Sequence, residues 1–165
     1  MKQIFSCCIS LVVILLLLSG CDFTRYHAPF VYTFRQDQSQ IAKVEICQYT
    51  DGYPIGTIKP IVQLPESKIE TFCTDIAALE CRETKKFDTP TGYGDLIFLV
   101  TYQNGEKEIF SFLWVGNISP DGTHTETLAY FDSLEMSKVF AKYVDPKVLF
   151  EVSEDFRYWY NQVKE

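Results

Sequence analysis

Residues 95–115 read DLIFLVTYQNGEKEIFSFLWV. Two apolar runs, Asp95 to Tyr102 and Glu106 to Val115, flank the pair Asn104-Gly105, which is suited to the two positive φ angles of a type I′ turn. A two-residue loop there predicts a register in which Val100 faces Ile109, Leu99 faces Phe110 and Ile97 faces Phe112. Alternation then sorts Leu96, Phe98, Val100, Ile109 and Leu113 to one side, and Ile97, Leu99, Phe110, Phe112 and Trp114 to the other. Both sides are apolar. Such a hairpin is central in its sheet with a layer on each face, or it leaves one side open as a binding surface.

The flanking sequence supplies further strands and the helices to cover them. Phe30 to Arg35 and Ile41 to Tyr49 read as strands joined by the polar Gln36–Gln40 turn, with Asp51-Gly52 marking the next reversal. A third strand runs from about Ile55 to Gln63, where Pro60 points to an edge or a bulge. Pro65 opens a helix to Leu79 whose stripe is Ile69, Phe72, Cys73, Ile76 and Leu79. Asp132-Ser133-Leu134-Glu135 has capping-box spacing ahead of Met136, Val139, Phe140 and Tyr143. Ser153-Glu154-Asp155 starts a last helix carrying Phe156, Trp159, Tyr160 and Val163, and Asp145-Pro146 breaks the chain between the two. The expected fold is α+β: one domain over residues 30–165, with a mostly antiparallel sheet of about five or six strands and about three amphipathic helices.

The N-terminus carries a signal of another kind. One cation, Lys2, precedes an apolar run from Ile4 to Leu18, broken by Ser6, Cys7, Cys8 and Ser10 and followed by the small residues Ser19 and Gly20. That is the layout of a secretory signal. Fifteen residues at about 1.5 Å each span roughly 22 Å, short of a hydrocarbon core of about 30 Å.

The closing tetrapeptide, Leu18-Ser19-Gly20-Cys21, resembles the lipobox of bacterial lipoproteins, over residues 1–22 only. The resemblance implies that residues 1–20 are cleaved and that the Cys21 sulfur, the strong nucleophile among side chains, carries a diacylglyceryl group. Two or three acyl chains anchor a protein stably. The expected location is the bacterial cell membrane, with the domain on its extracytoplasmic side. Residues 21–29 form a lipidated tether, and the eight residues after Cys21 reach about 28 Å when extended. The expected partner, a protein or small ligand, therefore lies near the membrane.

Cleavage leaves roughly 145 of the 165 residues, enough for one core. The formal charge of the whole chain is −7, and losing Lys2 makes it more negative still. That balance argues against nucleic acid and against docking on anionic lipid by charge. The 13 Phe and 10 Tyr point to a packed, sheet-rich fold. Of the cysteines, Cys47, Cys73 and Cys81 remain. On one continuous helix Cys73 and Cys81 would stand about 12 Å apart, too far to bridge. A bridge would therefore use Cys47, with Cys81 as its partner and Cys73 on the apolar helix face; the alternative is three unpaired thiols in the core.

Chemistry-bearing motifs are sparse. His27 lies in the tether, and the spacing of Asp121, His124 and Glu126 fits no ligand motif, so no metal site and no cofactor are expected. Gly-x-Ser-x-Gly, His-Glu-x-x-His and phosphate-loop patterns do not occur. The pairs Glu151/Glu154 and Glu80/Glu83 read as solvated faces. The loop from Asp88 to Asp95 reads as a ligand-contact loop or simply as a turn before a strand. The row Phe110, Phe112 and Trp114 is the candidate ligand-binding surface if exposed, and core if a helix covers it. Two functions follow: a lipid-anchored envelope lipoprotein with a non-catalytic binding domain, or a membrane-tethered hydrolase with a carboxylate or cysteine site.

Overall fold

The Asn104-Gly105 loop closes with three residues rather than two, and this sets the sheet. In the computed structural model, which describes residues 29–50, 57–83, 95–112, 114–120 and 124–162, the Gly105 N–H donates to the Tyr102 carbonyl at 3.0 Å and the Tyr102 N–H to the Glu106 carbonyl at 2.9 Å. Gly105 is the one described residue with positive φ, at +87°. Gln103 and Asn104 thus form an ordinary turn followed by a left-handed glycine, a common three-residue hairpin loop. The Asn104 side chain accepts from the Glu106 N–H at 3.0 Å, bracing the loop.

The extra loop residue corrects the predicted register by one. Phe98 pairs with Phe110, Leu99 with Ile109 and Ile97 with Ser111. A one-residue slip turns a strand over. Phe110 and Phe112 therefore join Leu96, Phe98 and Val100 on one face, while Ile109 joins Ile97 and Leu99 on the other.

Among the described residues, eight strands form one antiparallel sheet: β1 (Phe30–Val31), β2 (Ile41–Thr50), β3 (Thr57–Gln63), β4 (Glu80–Glu83), β5 (Leu96–Tyr102), β6 (Lys107–Ser111), β7 (Trp114–Ile118) and β8 (His124–Phe131), in the order β1-β4-β8-β7-β6-β5-β2-β3. The expected strand from Glu106 to Val115 divides into β6 and β7. The segment after Phe30 leaves the strand at Val31. β3 is an edge strand, and a register shift lies opposite it between Ile46 and Cys47, where Pro60 pairs with Cys47. Proline cannot donate to a ladder, so an edge with a bulge suits it.

Four α-helices are described: α1 (Ile69–Ala77), α2 (Ser133–Tyr143), α3 (Pro146–Val152) and α4 (Glu154–Gln162). The expected Pro65–Leu79 helix is shortened by a 3-10 turn over Glu66–Lys68. Asp132 caps α2 by accepting from the Leu134 and Glu135 N–H groups at 2.8 and 3.2 Å. Asp145-Pro146, expected as a break, also starts α3. The Asp145 carboxylate caps it through the Lys147 N–H, and Pro146 occupies the first turn, where no donor is lost.

All four helices join one face. α1 connects β3 at one edge to β4 near the other, so it crosses the sheet and lays Phe72 on Phe98, with ring centroids 4.9 Å apart. Phe140 of α2 stacks on Phe98 at 4.1 Å and 13°, and Phe156 of α4 stands 6.2 Å from Phe112. Three helices therefore place an aromatic ring on the row Phe98, Phe110 and Phe112. The second face carries Cys47, Ile97, Leu99, Ile109 and Ile118, a buried cluster drawn from strands alone.

Two outcomes check this construction. Gly105→Ala costs about 1 kcal/mol in urea unfolding, from backbone strain alone, because a Cβ there meets nothing closer than Pro120 at 3.8 Å. Phe98→Ala costs about 3–5 kcal/mol, since it removes the ring on which both Phe72 and Phe140 rest.

Candidate functional site

Phe110 and Phe112 are core, and this corrects their assignment as a ligand surface. Both are buried beneath the helices. Trp114 lies in β7 with its backbone opposite Tyr130, and its side chain is outside the described residues. Cys21, the signal, the tether through Ala28, the Asp51-Gly52 reversal, the loop from Thr89 to Gly94 and Asp121 also lie outside them. His124 and Glu126 are strand residues of β8, described in backbone only.

The bridge between Cys47 and Cys81 does not form. Cys47 is on β2 and Cys81 on β4, with four strands between them, roughly 24 Å at about 4.8 Å per strand. They also belong to clusters on opposite faces. Cys47, Cys73 and Cys81 are free, buried thiols. Burial, then the charge of Glu45, pushes the Cys47 thiol up to about 12. Burial pushes Cys73 and Cys81 up to about 11 each. At neutral pH none is a thiolate, and none is a nucleophile. Glu80, Glu151 and Glu154 stand in solvent, and Glu80 lies 3.6 Å from Arg82.

The group that stands out is Glu108. It alternates with Phe110 in β6 and with Phe112 just after it, so it points under the helices with them, and it is 0% exposed. Its Oε1 accepts from the Tyr32 hydroxyl at 2.8 Å and from the Arg35 backbone N–H at 3.1 Å. Its Oε2 accepts from the Tyr102 hydroxyl. Across the ladder stands Asn117; with its amide turned to suit both neighbours, it accepts from an Arg35 guanidinium nitrogen at 3.0 Å. Beside this cluster a hollow of about 650 Å³ is lined by residues 31–38 and Ala77.

Burial pushes the Glu108 carboxyl above the ordinary carboxylate range, against the pull of the Tyr102 and Tyr32 hydroxyls, the Arg35 N–H and the Arg35 charge. Burial, together with the neighbouring Glu108, raises both tyrosines far enough to keep their hydroxyls protonated. An unpaired buried carboxylate is costly, so the two hydroxyls and one N–H are what make Glu108 tolerable here. The arrangement holds two parts of the chain together. It offers no face to a substrate, because a general acid must reach the proton it transfers.

The local signal was a glutamate in step with two phenylalanines. Its partner Tyr32 could not be read, because it lies 76 residues away. A second long-range tie escaped notice for the same reason. Asp95 accepts from the Ser153 hydroxyl and from the Glu154 N–H at 2.9 Å, capping α4 from the start of β5.

Tyr32→Phe costs about 1–3 kcal/mol in chemical denaturation, because one oxygen of the buried carboxyl loses a donor while the ring stays in place. In native protein at pH 7, Cys47, Cys73 and Cys81 resist a charged aromatic disulfide reagent, and all three react in denaturant. No protein-family model, curated protein or solved structure matches this chain, so the chemistry of the site rests on its own residues.

Proposed function

We propose that this chain is a bacterial lipoprotein whose domain, held on the extracytoplasmic side of the membrane, binds a protein or small ligand there without catalysing a reaction. The observation that carries the reading is the run Ile4 to Leu18 ending in Leu18-Ser19-Gly20-Cys21. Hydrophobic length, two small residues and a cysteine coincide in it. The first strand among the described residues, β1, starts at Phe30, nine residues after Cys21, which suits a short tether.

The state of the chemically capable groups favours binding over hydrolysis. A tethered hydrolase built on a cysteine needs a thiolate at a cleft, and the three described thiols are buried and protonated. One built on a carboxylate needs it within reach of substrate, and Glu108 is enclosed by its donors. The acidic balance of the chain suits a protein or neutral ligand better than an anionic polymer.

Metabolic labelling with palmitate tests the anchor: the wild-type chain takes up label and stays with membranes after carbonate washing, whereas Cys21→Ala takes up none. Equal labelling of the two would end the lipoprotein reading. Cross-linking in intact cells tests the binding role, with a discrete adduct formed by the wild type and lost from Cys21→Ala.

A further inference from the structure

Among the described residues, the sheet ends at β1 on one side and at β3 on the other. An end strand presents a row of unpaired N–H and C=O groups, and proteins guard such rows with proline, lysine or a bulge. β3 is guarded in all three ways, by Pro60, by Lys59 and by the register shift opposite it between Ile46 and Cys47. β1 has none of these, and only its shortness protects it. Its two residues, Phe30 and Val31, are 36% and 64% exposed. They are the only adjacent pair among the large exposed apolar side chains of the described residues.

Two hollows border this edge. Val31 itself lines the one of about 650 Å³ that runs along residues 31–38. Its ladder partner Glu80 lines another, of about 420 Å³, together with Arg82, Phe131, Asp132 and Glu135. Three carboxylates thus meet one guanidinium there, and none of the three is tightly held. Glu80 stands 3.6 Å from Arg82, with both side chains more than half exposed. Glu135 pairs with Lys138 at 2.6 Å, about half in solvent, and an i,i+3 pair of that kind is worth little. Asp132 caps α2 through Oδ1 alone.

We propose that β1 is the docking edge for a protein partner, which lays an extended segment along Phe30 and Val31 and sets a lysine or arginine side chain into the acidic hollow. The proposal rests on the binding reading above and does not depend on the anchor. In strand addition the main chain supplies affinity and the side-chain pockets supply specificity. Two residues offer few main-chain bonds, so the choice of partner falls to the hollow. Three negative charges against one positive draw a cationic side chain and repel an acidic one. Apolar side chains of the partner cover Phe30 and Val31 beside it. The acidic balance of the chain favours a different protein over a second copy, since two copies of charge −7 repel each other.

Titration of the full chain, in neutral detergent at low salt, with a hexapeptide of alternating valine and lysine tests the edge, followed by NMR shifts. The peptide moves the signals of Phe30, Val31, Glu80 and Glu135 and leaves β3 unmoved. A hexapeptide of alternating valine and glutamate binds about tenfold more weakly or not at all. Glu80→Gln combined with Glu135→Gln, two exposed positions that the fold does not need, weakens the lysine peptide about fivefold or more. Equal binding of the two peptides, shifts gathered on β3, or no shift at millimolar peptide overturns the proposal. Shifts of Phe30 and Val31 that follow the concentration of the chain alone assign the edge to a second copy and overturn it too. In cells, the cross-linked adduct is lost from Glu80→Lys combined with Glu135→Lys. An adduct equal to that of the wild type overturns this site and leaves the binding reading standing, whereas no adduct in the wild type ends the binding reading and this proposal with it.

Discussion

The structure depends on which face of the sheet receives the aromatic residues of β6, and that is decided by one backbone angle. With Gly105 at a φ of +87°, the hairpin loop takes three residues, and Phe110 comes to lie beside Phe98. The row Phe98, Phe110 and Phe112 then forms the floor on which Phe72, Phe140 and Phe156 rest. Aromatic pairs in tilted, edge-on or offset contact add about 0.5–1.5 kcal/mol each beyond the area they bury. A two-residue loop would place Phe98 and Phe110 on opposite faces. The helices would then meet Ile109 and Ser111, and most of those contacts would be lost.

Polar side chains tie together elements that this apolar floor only brings near. Asp75 of α1 accepts from Lys142 at 2.6 Å and from the Tyr143 hydroxyl at 2.5 Å, joining α1 to α2. The Gln48 side chain donates to the Val152 carbonyl at 3.0 Å, joining β2 to α3. Asp95 caps α4, and Glu108 holds the N-terminal segment. Surface ion pairs such as Lys142–Asp75 are worth little, whereas a buried carboxyl has one good arrangement and several costly ones. Glu108, by accepting from the Tyr32 hydroxyl and the Arg35 N–H, ties the segment around residues 32–35 to β6.

This distribution of polar groups bears on function. Among the described residues, the three thiols are packed as small apolar residues, and the buried Glu108 carboxyl is satisfied by two hydroxyls and a backbone N–H.

Local signals were legible in the sequence because their physics is local. Asp132 and Ser153 cap helices through N–H groups two or three residues away, the stripe Phe72, Cys73 and Ile76 lies on one helix face, and Pro60 marks an edge. The lipobox-like stretch Leu18-Ser19-Gly20-Cys21 is likewise a contiguous string. The sequence by itself thus determined the α+β class, the starts of α2 and α4 and a candidate address. The tertiary structure decided the face taken by Phe110 and Phe112, the separation of Cys47 from Cys81, and the partners of Glu108 and Asp95. Register turns on how one loop balances φ angles against hydrogen bonds, and a one-residue change there inverts a strand while leaving its alternation intact. The Tyr32 partner of Glu108 lies 76 residues away and the Ser153 partner of Asp95 lies 58 away, where only the assembled fold brings them within reach.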